Sequence, residues 1–340
     1  MANPNESRSF NNIQNSRAEK RKKNKLIQQF TLMGIVGLAA LTVCTLMIMA
    51  IGGIIGNIAE GLGWAPNNGP DNEKIQWDSI TVTTTDTQQG DLVLVNNTHV
   101  YTFPATNEHL SEIYAKWYTH KPKIYELSGI SKYMDTDALN AMDTMITDFV
   151  TATGKTDVQV RDAYRTAEDQ ERYPTPVGQS DHHTGLGVVL KYLKGQAYAF
   201  STDPDGTYNW FYENCHKYGF VVRYPADKTE ITGVEDYTDY FRFVGVAHAT
   251  YMKEKNLCME EYVELLKGYT DKSPLKINAA DGNYYEVYYV AVDGSATVKV
   301  PANYAYNLSG TNDGGVVITV SRSQAIQPET ETSGEESGTN

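Results

Sequence analysis

SDHHTGLG, residues 180–187, marks the start of a predicted strand and carries the strongest chemical signal in the chain. Two adjacent histidines beside a carboxylate can begin a zinc site, because imidazole nitrogens and carboxylate oxygens are common zinc ligands. Successive strand residues point to opposite faces, so at most one of His182 and His183 can face a given metal ion. The segment therefore predicts one candidate ligand, and a surface or packing role for the other histidine.

Strands and helices alternate irregularly on both sides of this segment. Residues 138–150 carry apolar side chains at the three- and four-residue spacing of a helix with one buried face. We expect strands at 80–85, 91–95 and 240–246, and one helix over 247–267. Because these elements do not follow a regular strand–helix–strand order, they favour an α+β domain.

The pattern of the sequence changes after residue 268. Short β-rich runs follow, separated by turns such as Asp293-Gly294 and Asp313-Gly314-Gly315, and they predict a small all-β module at the C-terminal end. Residues 327–340 consist mostly of Glu, Thr, Ser and Gly, a composition typical of a disordered tail.

An apolar stretch near the N-terminus predicts a membrane anchor. No charged side chain occurs between Phe30 and Gly56, and residues 26–56 are long enough to cross a bilayer as a helix. Five basic residues between Lys20 and Lys25 precede the stretch, so the charge bias places the N-terminus in the cytoplasm. A cleaved signal peptide is the competing interpretation, but its apolar region is normally shorter. We therefore expect a single-pass protein of the cytoplasmic membrane, with its domain outside.

The exported part is acidic. Residues 1–25 carry seven basic and two acidic side chains, whereas the whole chain has a net charge of −13. Without a basic stripe, this part is not expected to bind nucleic acid. Three cysteines do not form a metal-binding pattern, and the sequence leaves open whether Cys215 and Cys258 are bridged.

The order of several short motifs points to one family. They are Tyr164-Arg165-Thr166 with Gln170, Ser180-x-His182-x-x-Gly185-Leu186, Lys217-Tyr218-Gly219-Phe220, Arg223-Tyr224-Pro225, Ile231-Thr232-Gly233 and Phe241-Arg242-Phe243-Val244-Gly245. This series resembles the zinc D-Ala-D-Ala carboxypeptidases of the vancomycin-resistance type, which are bacterial cell-wall peptidases. Their signatures are Ser-Glu-His-x-x-Gly-x-Ala-x-Asp and Glu-x-Trp-His-x-Arg, which supply three zinc ligands and a general base. The resemblance implies a carboxypeptidase-like domain with a central antiparallel sheet.

When the family signatures are aligned with this sequence position by position, the first zinc ligand corresponds to His182. The ligand Asp falls on Val189, the ligand His on Tyr240 and the catalytic Glu on Tyr237. A catalytic zinc site needs three protein ligands and a base for the bound water. The resemblance therefore implies a pseudoenzyme without a metal cofactor and without catalytic residues. The alternative is a rebuilt zinc site in which Asp236 and Asp239, shifted by one residue, are swung inward by a bulge.

The substrate side of the family's site is better preserved. Arg165, Gln170, Ser180, Asp181 and His182 occupy positions comparable to those that hold the terminal carboxylate and backbone of a peptidoglycan stem peptide. The fork of an arginine suits a carboxylate because it donates two parallel hydrogen bonds. A buried ion pair between Arg165 and Asp181 is the structural alternative.

Six segments follow from this interpretation. They are a cytoplasmic basic tail (1–25), a transmembrane helix (26–56), a linker (57–75), a D-Ala-D-Ala carboxypeptidase-like domain (76–268), a small β module (269–323) and a disordered acidic tail (324–340). Three functions remain open. The protein binds a stem peptide or an envelope protein without cleaving it, or it is an active zinc D,D-carboxypeptidase with a rebuilt site, or it is a structural subunit of a membrane assembly.

Overall fold

Fourteen β-strands and seven α-helices make up the part of the chain that the structure, a computed structural model, describes: residues 74–235 and 237–325. The strands are β1 (Trp77–Thr83), β2 (Leu110–Glu112), β3 (Glu126–Leu127), β4 (Tyr133–Asp135), β5 (Val158–Asp162), β6 (Gly187–Lys194), β7 (Gln196–Tyr198), β8 (Phe220–Val222), β9 (Tyr240–Phe243), β10 (Leu275–Asn278), β11 (Tyr284–Ala291), β12 (Ser295–Pro301), β13 (Tyr304–Gly310) and β14 (Gly315–Ala325). The helices are α1 (Ile113–Thr119), α2 (Thr136–Thr153), α3 (Ala167–Gln170), α4 (Asn209–Asn214), α5 (Thr229–Thr232), α6 (Val246–Lys255) and α7 (Met259–Leu266).

Several predicted segments lie outside the described residues. They are the cytoplasmic tail (1–25), the transmembrane helix (26–56), the linker up to residue 73, Asp236 of the alternative metal site, and residues 326–340. None of the described helices combines the length and apolarity that a bilayer crossing requires. Strand β14 continues to Ala325, two residues into the predicted disordered tail.

One mixed sheet forms the centre of the domain. Its strands follow the order β3-β5-β6-β9-β8, and β7 also pairs with β6. All these pairs are antiparallel except β3 with β5. The predicted α+β class is confirmed, and the predicted antiparallel sheet is modified by this one parallel pair.

Helix α2 covers one face of that sheet. Asp135 caps its first turn, since the side chain accepts hydrogen bonds from the backbone N–H groups of Asp137 and Ala138. Gly154 ends the helix in the left-handed conformation with φ of 72°. The apolar face includes Met142 and Phe149, both fully buried against β5, β6 and β9. The helix predicted at 138–150 is confirmed and extends by a few residues at each end.

The C-terminal strands form a second layer. Strands β10-β11-β14-β13 make a four-stranded sheet, and β1 pairs with β12 in a separate two-stranded sheet. Side chains of α6 and α7 share a core with Leu92, Leu275 and Val287, so the segments on either side of residue 268 pack together. A buried His248 links them, because its ring hydrogen-bonds Tyr262 at 2.7 Å and Thr319 at 2.9 Å.

Two local predictions were wrong. The helix predicted over 247–267 is two helices, since Asn256 adopts the left-handed conformation with φ of 51° and ends α6. The strand predicted at 91–95 is absent from the described structure. Carbonyl groups of this segment accept hydrogen bonds from side chains instead: Arg242 donates to Asp91 and Val93, and Arg223 donates to Val95.

Candidate functional site

His182 lies at the centre of the site, in a short 3-10 turn of residues 181–184 that precedes β6. Gly185 ends the turn with φ of 72°, a conformation that glycine adopts without a steric penalty. The carbonyl of Ala163 lies 2.5 Å from Nδ1 of His182 and can only accept, so the neutral ring carries its proton on Nδ1. The lone pair of Nε2 therefore accepts the hydrogen bond from the Tyr237 hydroxyl at 3.1 Å. Burial, with a smaller effect of the Arg165 charge, lowers the pKa of His182 to about 4, so the ring is neutral at pH 7.

Two of the three positions that fall on lost zinc-site residues, Tyr237 and Tyr240, lie next to this ring. Val189 and Tyr240 are directly opposite each other on β6 and β9, and both are buried. The Tyr240 ring lies 4.6 Å from the His182 ring and 5.3 Å from the Tyr237 ring, measured between centroids. Two phenol rings thus lie next to the His182 ring, and the Tyr237 hydroxyl contacts its Nε2.

Asp181 faces away from solvent, into a cluster of two arginines. Its Oδ1 accepts hydrogen bonds from Arg242 at 2.5 Å and Arg223 at 3.3 Å, and its Oδ2 accepts one from the Tyr240 hydroxyl at 2.9 Å. Burial alone would raise the pKa of Asp181, but the two guanidinium charges outweigh it and hold the pKa below its usual value. Arg223 is also paired with Glu260, at 2.8 Å. This predicted ligand-binding residue is therefore a structural anion in the described structure.

Arg165 is paired with Asp162 instead of Asp181. Its Nε and Nη2 atoms donate to Oδ2 of Asp162 at 2.9 and 2.5 Å, and Nη1 donates to Oε1 of Gln170 at 3.2 Å. The guanidinium plane stacks on the ring of Tyr173, 3.6 Å from its centroid. Gln170 and the remaining predicted residue, Ser180, are both buried. The predicted ligand-binding residues are thus brought close to His182, but Arg165, Gln170 and Asp181 are hydrogen-bonded to other protein groups.

The donor set does not fit a zinc ion. Of the inherited ligand positions only His182 carries an imidazole or carboxylate, and its Nε2 is engaged by Tyr237. Asp239 of the alternative site is buried. Its carboxylate already accepts hydrogen bonds from Lys191, from the Phe200 backbone N–H and from the Tyr212 hydroxyl. Across residues 74–235 and 237–325, no group of three or more His, Cys, Asp or Glu side chains is arranged to hold a metal.

Comparison with known proteins identifies the family. A family profile described as D-alanyl-D-alanine carboxypeptidase (VanY) matches residues 112–246. A D-alanyl-D-alanine carboxypeptidase of Enterococcus faecium is 31% identical over 250 residues, which are 71% of this chain and 78% of that protein. The chain belongs to the D-alanyl-D-alanine carboxypeptidase family. The resemblance inferred from the motifs is confirmed.

Other relatives agree with this family assignment. The putative carboxypeptidase YodJ of Bacillus subtilis is 31% identical over 151 residues, 43% of this chain and 49% of that one. The crystal structure of the vancomycin-resistance D,D-dipeptidase VanXYg, in complex with a D-Ala-D-Ala phosphinate analogue, is similar with a TM-score of 0.63 and 24% identity. The structural match covers 72% of this chain and 99% of that structure, so the similarity supports the carboxypeptidase fold.

Four residues of this carboxypeptidase-family site were missed by the sequence reasoning. Asp162 stands three residues before Arg165, a spacing that could have suggested the ion pair. Arg223 and Arg242 belong to the family motifs, but no local sequence signal indicated that both side chains would form ion pairs with Asp181. Gly187 occupies the alanine position of the first family signature. The structure explains this glycine, because a β-carbon there would overlap the Tyr240 hydroxyl.

Cys215 and Cys258 are both buried and unbridged. Burial raises the pKa of the Cys215 thiol to about 12, so this thiol stays protonated and unreactive. His183 also has a packing role: its ring contacts Tyr101 and Phe103, and its Nδ1 lies 2.8 Å from the Arg165 carbonyl.

Proposed function

We propose that this chain is a non-catalytic member of the D-alanyl-D-alanine carboxypeptidase family that binds a peptidoglycan stem peptide without cleaving it. The observation that carries the proposal is the hydrogen bond between Nε2 of His182 and the Tyr237 hydroxyl. Nε2 is the ring nitrogen with a lone pair for a metal, because Nδ1 donates to the Ala163 carbonyl. Here a phenol replaces both the metal next to the imidazole and the carboxylate that would act as general base.

The chemistry of the two tyrosines supports this proposal. Zinc binds deprotonated or neutral lone-pair donors, and a catalytic site uses three of them plus an open position. Burial raises the pKa of Tyr237, and burial and the Asp181 charge raise the pKa of Tyr240, so both phenols remain protonated at neutral pH. A single imidazole that is already hydrogen-bonded would hold zinc only weakly. Tyr237 cannot accept a proton from a water molecule as the family's Glu does.

Binding of a stem peptide is supported by the family and by Arg165. The relatives are named for D-alanyl-D-alanine substrates. Arg165 lies beside Tyr237, next to the position that the scissile bond would occupy by analogy with the family. One observation favours the envelope-protein alternative: Asp162 already neutralises Arg165, so a free peptide carboxylate must compete with it.

The proposal places the domain on the outer face of the cytoplasmic membrane, held by residues 26–56. The support is the apolar length of that stretch and the basic residues before it. In this location a protein without catalysis can still act by presenting or occupying nascent stem peptides.

The experiment uses the full chain in detergent with a synthetic pentapeptide ending in D-Ala-D-Ala. We expect no D-Ala release, with or without added zinc, and saturable peptide binding that Arg165→Ala weakens. Arg172→Ala is the matched control, because Arg172 is an exposed arginine on the same segment. Zinc-dependent D-Ala release would overturn the non-catalytic role, and equal affinity of the Arg165→Ala variant would overturn the placement of the peptide.

A further inference from the structure

A cavity lies between the 85–105 segment and the start of α2. Its volume is about 520 Å³, within the range of small-ligand sites. Its lining includes the apolar or aromatic residues Tyr101, Phe103 and Leu186 and the acidic residues Asp91 and Asp135. None of the residues that line it is Arg165, His182, Tyr237 or Tyr240. The cavity therefore excludes these four residues of the family site, although Thr184 and Leu186 of its lining belong to the segment that carries His182.

The charge balance of this cavity is one-sided. Its lining contains two aspartates, one histidine (His109) and one tyrosine (Tyr101) as ionisable groups. No lysine or arginine side chain of the described residues lines it. Asp135 uses Oδ1 to cap α2, which leaves Oδ2 free of that role. Among the described residues, no hydrogen bond or ion pair reaches the carboxylate of Asp91. The cavity lining thus contains the carboxylate of Asp91, which has no hydrogen-bond partner in the described part of the chain, and that of Asp135, which uses only Oδ1 in the helix cap.

The partial burial of Asp91, without an ion-pair partner on its carboxylate among the residues that the structure describes, has an electrostatic consequence. Burial and the nearby charge of Asp135 raise the pKa of Asp91 to about 6, although the charge of Arg242 partly offsets this. Arg242 is itself bonded to Asp181 and to backbone carbonyls, so it does not neutralise Asp91 directly. A buried carboxylate is stabilised when a cation with hydrogen-bond donors enters its site.

We propose that this cavity binds a primary ammonium group on an alkyl chain, with the ammonium on Asp91 and the chain against Tyr101 and Phe103. The two rings meet edge to face, with centroids 5.3 Å apart, and form an apolar wall that also favours a nearby cation. A divalent metal is a poorer match, because Ca²⁺ takes six or more oxygen ligands. The described structure offers no group of three metal-binding side chains here.

The test measures calorimetric binding to the full chain in detergent. The probe is Nα-acetyl-lysine methylamide, and the neutral control is the same molecule acetylated on Nε. We expect weak, saturable binding of the ammonium form and affinity at least about tenfold lower for the acetylated form. A second arm uses 1,4-diaminobutane: tighter binding of the diamine would assign the site to free amines, and tighter binding of the lysine derivative would assign it to a peptide side chain.

The decisive variant is Asp91→Asn, which keeps the shape of the side chain and the backbone carbonyl that Arg242 contacts. It should lower the affinity for the ammonium probe about tenfold. Asp293→Asn is the matched control, since it removes the same charge from an exposed turn and should leave affinity unchanged. Equal binding of the acetylated probe by the unmodified chain would overturn the proposal even if Asp91→Asn did not fold. Unchanged affinity in folded Asp91→Asn, or binding of Ca²⁺ but of neither amine, would also overturn it.

Discussion

The hydroxyl of Tyr240 occupies the space in which Gly187 would carry a β-carbon if it were any other residue. Gly187 falls on the alanine of the family's first signature and Tyr240 on the zinc-ligand histidine of the second. The two departures from the family pattern therefore depend on each other. A longer side chain at residue 240 fits only because residue 187 has none.

Gly187→Ala is expected to destabilise the fold by about 1–3 kcal/mol through overpacking against Tyr240. Histidine is shorter than tyrosine, so Gly187→Ala combined with Tyr240→His should be less destabilised than the sum of the single variants. Chemical denaturation of all three variants measures this coupling. Gly129→Ala is the control, because a β-carbon there meets no atom within 4 Å and should have little effect. Strict additivity would refute the steric link.

Replacing Asp181 should remove the counter-charge of two buried arginines. Arg223 and Arg242 are both fully buried, and Asp181→Asn leaves Arg242 without an anionic partner among the described residues. We expect a loss of about 3–5 kcal/mol in the free energy of unfolding. Glu264→Gln, which breaks an exposed pair with Lys267, should change stability by less than about 1 kcal/mol. Similar effects of the two variants would show that the buried cluster is not stabilising.

Stability should fall between about pH 6.5 and about pH 4 because of His248. Burial lowers the pKa of His248 to about 4, below the value of roughly 6.5 in an unfolded chain. In this window the unfolded state binds a proton that the folded state does not, so stability is present above it and is lost as the pH decreases. The predicted contribution is roughly 3 kcal/mol. Denaturation of His248→Gln across this range should show a flatter pH profile, and an unchanged profile would contradict the assignment.

Asp162→Asn should strengthen binding of a D-Ala-D-Ala peptide if the carboxylate binds Arg165. The substitution removes the Asp162 charge that now neutralises the Arg165 guanidinium. The terminal carboxylate of the peptide can then pair with Arg165 without competition from Asp162. We expect affinity to increase by up to about tenfold, measured by titration with the pentapeptide. A peptide whose terminal carboxylate is amidated should not gain affinity. Equal gains for both peptides would argue against a carboxylate contact.

The parts of the site that the sequence predicted are those carried by short motifs. The family resemblance assigned Val189, Tyr237 and Tyr240 to the lost zinc-site positions, and the structure places the rings of Tyr237 and Tyr240 next to His182. The pairing of β1 with β12 had no such local signal, since the partners are more than two hundred residues apart. The wrong strand at 91–95 has the same origin. Its run of Leu and Val residues favours a strand, but the side chains of distant arginines donate to its carbonyl groups instead.

Zinc content of the purified full chain tests the central claim most directly. After equilibration with zinc and removal of free metal, we expect the unmodified chain to retain far less than one ion per molecule. The matched variant restores the family pattern with Gly187→Ala, Val189→Asp, Tyr237→Glu and Tyr240→His, and it should retain about one ion, since three ligands then surround the site. One tightly held zinc ion in the unmodified chain would contradict the account.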